Sequence, residues 1–98
     1  MTGKSAAAKK LSLEKVLDLN EAQALHGKLM ALRGSNVSID ASPVERAGAL
    51  CVQVLMSAAK SWEEEQHSFT FSNISDALAK TMQLIGVNYD HLLAKESK

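Results

Sequence analysis

Apolar residues recur with two different periods along the chain, and the alternation between these periods predicts an α/β fold. The most apolar stretch begins with an alternating strand over residues 37–41 and continues into a long helix that reaches Trp62. In that helix, apolar residues fall at positions 47, 50, 51, 54, 55 and 58, which is the spacing of a helix packed on a core. Because residues outside this stripe are also mostly apolar, we expect this helix to be the most buried one.

Two further strand regions flank this central stretch. Residues 11–19 alternate loosely, and they predict one strand with a bulge or two very short strands. The segment His67-Ser68-Phe69-Thr70-Phe71 alternates as a strand with both phenylalanines on one face. Each strand region is followed by a helix, and such an order requires crossover connections. The pattern therefore predicts an α/β fold with a mostly parallel sheet.

The two remaining helices have recognisable ends. The first is predicted to begin at Asn20, whose side chain can cap it, and to stop at Gly34. The last is predicted to follow the cap-rich segment 72–76 and to stop at Gly86, with a short turn over residues 87–93.

Composition narrows the class of protein. The chain has 98 residues, a formal net charge of zero and a single cysteine, Cys51. This length predicts one domain over residues 11–93, between a flexible tail at 1–10 and a polar tail at 94–98. A neutral chain argues against nucleic acid or an anionic membrane as the partner. The sequence shows no signal peptide, no apolar run as long as a membrane span and no disulfide framework, so we expect a soluble, cytoplasmic protein without direct membrane insertion.

The sequence offers few candidates for catalytic or metal-binding residues. The three histidines, His26, His67 and His91, have no metal-ligand spacing, and the sequence has no Gly-rich phosphate loop and no nucleophile elbow. Cys51 lies in the apolar helix, where a small buried side chain is the expected role. We expect a protein that is not an enzyme and that needs no cofactor or metal.

An ordered series of segments resembles the STAS domain, the fold of anti-sigma-factor antagonists. The series comprises Leu17-Asp18-Leu19-Asn20-Glu21-Ala22 with its helix, Ile39-Asp40-Ala41-Ser42-Pro43-Val44 with its helix of small and aliphatic residues, a strand ending in Ser72-Asn73, and a last helix ending in Leu84-Ile85-Gly86-Val87. The resemblance covers residues 11–93. It implies a STAS-like open, mostly parallel or mixed sheet of four strands with helices packed on it, and a non-enzymatic binding module.

The resemblance also implies the position of a regulatory phosphate. In phosphorylatable members, a Ser or Thr at the start of the helix after the central strand is phosphorylated by a partner kinase of the GHKL type. That position is Ala49 in this chain, so phosphotransfer there is impossible, and the implied protein is a constitutive binder or one regulated through its partner. The nearest hydroxyl belongs to Ser42, but Ser42-Pro43-Val44-Glu45 also fits a capping box with proline at the first helical position. That local rule would begin the helix at Pro43, whereas the family pattern begins it near Gly48; we expect an irregular turn over residues 43–47.

The loop end of the central strand is the predicted partner-binding surface, because open α/β sheets present functional groups there. The predicted residues are Asp40, Ser42, Glu45, Arg46, Gly48, Ala49 and Gln53.

Two segments resemble a narrower group within the STAS family, and this resemblance suggests a partner. The segments Asp40-Ala41-Ser42-Pro43-Val44-Glu45-Arg46 and Gln53-Val54-Leu55 look most like the small chemotaxis-associated STAS proteins of the CheS type. That resemblance implies an adaptor that binds the chemotaxis histidine kinase, CheA, and changes phosphoryl signalling to a response regulator. Two alternatives stay open: an anti-sigma-factor antagonist, and the accessory STAS subunit of a lipid-transport ABC ATPase.

Overall fold

A computed structural model describes residues 8–93. The two predicted tails lie largely outside these residues. The strands are β1 (Lys9–Ser12), β2 (Val16–Leu17), β3 (Val37–Ala41), β4 (Arg46–Ala47) and β5 (Phe69–Ile74). The helices are α1 (Leu19–Ala31), α2 (Ala49–Glu64) and α3 (Asp76–Ile85), and a 3-10 turn covers Asp90–Leu92. Among these residues, no helix is long and apolar enough to span a membrane.

All strand pairs are parallel, which confirms the α/β prediction, but the strand count differs. The main sheet has three strands in the order β1-β3-β5, and β2 pairs with β4 as a separate two-stranded ladder. Strand β1 begins at Lys9, two residues before the predicted start of the domain. The first strand region is thus two short strands, the second of the two predicted forms, because the chain leaves β1 after Ser12 and re-forms a strand at Val16.

The register between β3 and β5 shifts near the loop end of the sheet. Ile39 pairs with Phe71, but the next residue, Asp40, pairs with Asn73, so Ser72 is the extra residue of a β-bulge. The Ser72 hydroxyl donates to the Ile39 carbonyl at 3.3 Å. This bulge carries Asn73 to the side of Asp40, where the predicted partner-binding surface begins.

Helix α2 supplies the largest share of the helical core, and its buried face overlaps the predicted stripe only in part. Its buried residues are Cys51, Val52, Leu55, Ala59 and Trp62, against three from α1 and two from α3. Leu50, predicted to be buried, is 45% exposed. Because nearly every face of α2 is apolar, periodicity alone could not fix which face meets the sheet. Val54 and Ala58 are partly buried against the core and line a groove between α2 and α1.

Capping residues determine where the helices begin and end. The N-cap of α1 is Asp18, not Asn20 as predicted: its carboxylate accepts from the Glu21 amide at 3.0 Å. Ser75 caps α3 by accepting from the Leu78 amide at 3.1 Å. Helix α3 ends as predicted at Gly86, which has a left-handed φ of 88° that favours glycine.

Candidate functional site

The loop after β3 begins with a tight turn built on Asp40. The Asp40 carboxylate accepts a hydrogen bond from the Ser42 amide at 3.0 Å. Hydrogen bonds from the Ser42 amide, the Ser42 hydroxyl and the Asn73 side chain hold the pKa of Asp40 below its usual range. Asp40 and Ser42 are therefore tied to each other and to the end of β5.

The next residues are fixed against the β1–β2 connection. The Lys15 carbonyl accepts from the amides of Glu45 at 2.7 Å and Arg46 at 3.1 Å, and Val44 is buried beside them. The predicted irregular turn over 43–47 thus ends in a short strand, β4. The side chains of Glu45 and Arg46 are exposed, and within residues 8–93 neither takes part in an ion pair.

Helix α2 begins at Ala49, as the family pattern predicts. Its N-cap residue, Gly48, is extended, with φ −89° and ψ 161°, and offers no side chain to cap the helix. The start at Pro43 that the local rule favoured is wrong, because the chain forms β4 before it turns into the helix. Ala49 is exposed at the first helical position. A methyl group therefore occupies the surface position at which the resemblance places a phosphoryl acceptor in switching members.

The structure divides the predicted partner-binding residues into three groups. Asp40 and Ser42 lie with Asn73 at the ends of β3 and β5. Arg46 and Gly48 line a shallow hollow of about 360 Å³ beside β2, whose Val16 is 40% exposed. Glu45 and Ala49 are exposed next to Arg46 and Gly48 in the chain. Gln53 forms the third group, because it lies one turn after Ala49 on α2 and lines a groove between α1 and α2.

That groove was not predicted from the sequence. It has a volume of about 230 Å³, and five of its ten lining side chains are apolar. These side chains are Leu29 and Met30 of α1 and Val54, Ala58 and Trp62 of α2. The signal that could have found it is the apolar side of α2 that the sheet does not cover, because a helix apolar all round has a second face to bury.

Cys51, the chain's single cysteine, is a packing residue. Cys51 is buried and its thiol donates to the Asp18 carbonyl at 3.3 Å; burial, followed by the charges of Glu21 and Asp18, raises the thiol pKa. A raised pKa makes a thiolate rare, so Cys51 is suited to packing. In the part of the chain that the structure describes, no group of three or more His, Cys, Asp or Glu residues could hold a metal ion.

Comparison with known proteins adds one finding. A family model described as "Mlab, STAS domain" matches residues 1–94. No match was found among the curated proteins.

Proposed function

Because the chain belongs to the STAS domain family, we propose that it is a non-enzymatic adaptor that binds a GHKL-type kinase in bacterial signal transduction. The partner we favour is the chemotaxis histidine kinase, with an effect on phosphoryl signalling to its response regulator. The support for this choice is the sequence resemblance to the CheS type over the β3–α2 segment and over Gln53-Val54-Leu55.

One observation supports an adaptor over a phosphorylation switch. Ala49 is the exposed first residue of α2, so the helix presents a methyl group at the position of the acceptor hydroxyl. Phosphate on that residue would lie at a helix N-terminus, where negative charge is favoured. Without a hydroxyl the chain cannot carry that charge there, and its affinity for a partner cannot be switched through this position.

The side chains around Ala49 suit a docking surface. Arg46 is an exposed cation outside any ion pair of residues 8–93, and it stands on a backbone held at both Lys15 and Leu17. A charged group on a fixed backbone loses less conformational freedom on binding than one on a loose loop. Arg46 is therefore the residue on which we base the test.

The test is calorimetric titration of the protein into the purified chemotaxis kinase, whole and in fragments. We expect micromolar or tighter binding, and for Arg46→Glu an affinity at least about ten times weaker, equivalent to about 1.4 kcal/mol. The matched control is Lys80→Glu on α3, which makes the same change of charge at an exposed position outside the proposed surface. The control should bind like the unmodified protein.

A flat titration against every fragment would refute kinase binding. Equal weakening by Arg46→Glu and Lys80→Glu would show a general charge effect and would refute the proposed surface.

A second candidate is the accessory STAS subunit of a lipid-transport ABC ATPase. It is favoured by the match to a family model whose description carries the name Mlab. Co-purification with a membrane ATPase, together with a flat titration against the kinase, would support this candidate. An anti-sigma-factor antagonist is disfavoured by Ala49, because ordinary partner switching uses a hydroxyl at that position.

A further inference from the structure

The groove between α1 and α2 is bounded by two helices that run side by side in the same direction. At their beginnings the Cys51 thiol contacts the Asp18 carbonyl, and at their ends Arg33 pairs with Glu65. Contacts at matching ends require the two helices to be parallel neighbours. The groove therefore follows the helix axes and has an apolar floor of Leu29, Val54 and Trp62.

In the described part of the chain, the one formally charged residue that lines the groove is neutralised by an ion pair. Arg33 is the one Lys, Arg, Asp or Glu residue among its described lining residues, and it forms an ion pair with Glu65. This pairing raises the pKa of Arg33 and lowers the pKa of Glu65. His26 is the other titratable residue of the lining, and it is exposed at the rim. An uncharged, apolar surface is the electrostatic complement of this groove, since a charged group would lose its hydration there without gaining an opposite charge.

The size of the groove favours side chains of a protein over a small organic ligand. Its volume of about 230 Å³ is below the roughly 300–1,000 Å³ of ordinary ligand pockets. Exposed apolar side chains accompany the groove on both helices. Met30 of α1 lines it and is 46% exposed, and Leu50, which is 45% exposed, precedes the lining residue Val54 by one turn on α2. A small pocket flanked by exposed apolar side chains is the arrangement in which an interface places its anchors.

We propose that this groove binds an amphipathic helix of the kinase partner, which inserts uncharged, apolar side chains spaced at i, i+3 or i+4, and i+7. The inference rests on the proposed function, because it takes the kinase as the partner. Two parallel helices offer ridges and grooves into which a third helix packs, and an apolar helix face laid in a groove is a recurrent mode of recognition. The groove joins the predicted surface through Gln53, which lies one turn after Ala49.

The test compares two substitutions at Ser57, an exposed residue of the groove lining. Ser57→Trp fills the groove, whereas Ser57→Ala leaves it open. In titrations against the full-length kinase, we expect Ser57→Trp to weaken binding by about tenfold or more and Ser57→Ala to leave it unchanged. Far-UV circular dichroism establishes that both variants are folded.

A second pair of variants keeps the test independent of the tryptophan. Met30→Glu places a charge on the groove wall, and Leu84→Glu makes the corresponding change at an 89% exposed position of α3. Only Met30→Glu should weaken binding. Hydrogen exchange of the kinase should then show protection of one helical segment with the stated apolar spacing, and protection of an extended or mainly charged segment would refute the proposal.

The outcomes separate the two proposals. If the unmodified protein does not bind the kinase, both proposals are refuted. If it binds, and Ser57→Trp and Met30→Glu bind as tightly as the unmodified protein, the groove proposal is refuted and the proposed function is retained. If sedimentation shows a dimer of this chain that Met30→Glu dissociates, the occupant is a second copy and the kinase helix is refuted.

Discussion

Trp62 connects the end of α2 to the loop after α1, and its replacement gives a quantitative test of the packing. The side chain is 2% exposed, and its indole N–H donates to the Ser35 carbonyl at 2.7 Å. Its ring meets that of Phe69 edge to face, with centroids 5.7 Å apart. Phe69 in turn meets Phe71 in the same way. One side chain thus contributes a hydrogen bond, buried area and an aromatic contact.

The expected cost of Trp62→Phe follows from these contacts. The phenyl ring lacks the donor, and a lost hydrogen bond costs about 1 kcal/mol. It is also smaller by two ring carbons, each of which contributes about 0.8 kcal/mol when buried. Because a phenyl ring preserves an aromatic contact with Phe69, we add nothing for that contact. The free energy of unfolding should fall by roughly 2.5 kcal/mol, and the melting temperature by about 10–20 °C for a domain of this size.

Urea unfolding followed by far-UV circular dichroism is the appropriate assay. Fluorescence is unsuitable because Trp62 is the chain's only tryptophan. The matched control is Ser35→Ala, which removes a hydroxyl but leaves the backbone carbonyl that accepts the bond, and it should change stability little. A cost below about 1 kcal/mol for Trp62→Phe would refute the reasoning, since it would be less than one buried hydrogen bond together with the lost area.

Three further predictions concern turns and caps. Ser75→Ala removes the cap of α3 and should cost about 1 kcal/mol in the same unfolding assay, whereas Ser75→Thr should recover most of it; equal stabilities would contradict the capping role. Gly86→Ala forces a Cβ into left-handed backbone and should cost about 1 kcal/mol, with Gly86→Asn milder, and an unchanged midpoint would contradict this. The lowered pKa of Asp40 means that its stabilisation is complete above the ordinary carboxyl pKa of about 4 and is lost as the pH falls through the lower folded pKa. Asp40→Asn should therefore flatten the decline of stability in acid, and an unchanged decline would exclude this contribution.

The sequence predicted the order of strands and helices because the spacing of apolar residues agrees with the positions of cap and turn residues along most of the chain. The alternation of residues 37–41 and of Phe69 and Phe71 specified two buried strands, and Gly86 specified the end of α3. The N-cap of α1 was misplaced because both Asp18 and Asn20 can accept an amide hydrogen bond, and only the backbone geometry decides between them. The strand count was wrong because two-residue strands such as β4 carry no periodicity.

The candidate surface was predictable only in part. Local spacing predicted that Asp40 and Ser42 lie together. The family pattern predicted a start of α2 near Gly48, and the helix begins at Ala49. The groove depends on which face of α2 meets the sheet, and an apolar helix does not reveal that face. Gln53 was grouped with the β3–α2 loop because it lies one turn from Ala49 in sequence, yet its place on the helix directs it towards α1. Whether these residues bind a partner stays a prediction.

The central position of β3 has a consequence for how the chain folds during synthesis. Strand β3 pairs on one side with β1, where Val37 matches Lys9, and on the other with β5, where Val37 matches Phe69. Both pairings join residues about 30 positions apart, so the main sheet contains no hairpin from which to start, and such non-local closure slows folding. A ribosome must release the chain beyond Ile74 before β3 can gain its second neighbour. Until then one edge of β3, a strand with no exposed residue in the folded protein, is open to other chains, so we expect fragments that stop before β5 to aggregate.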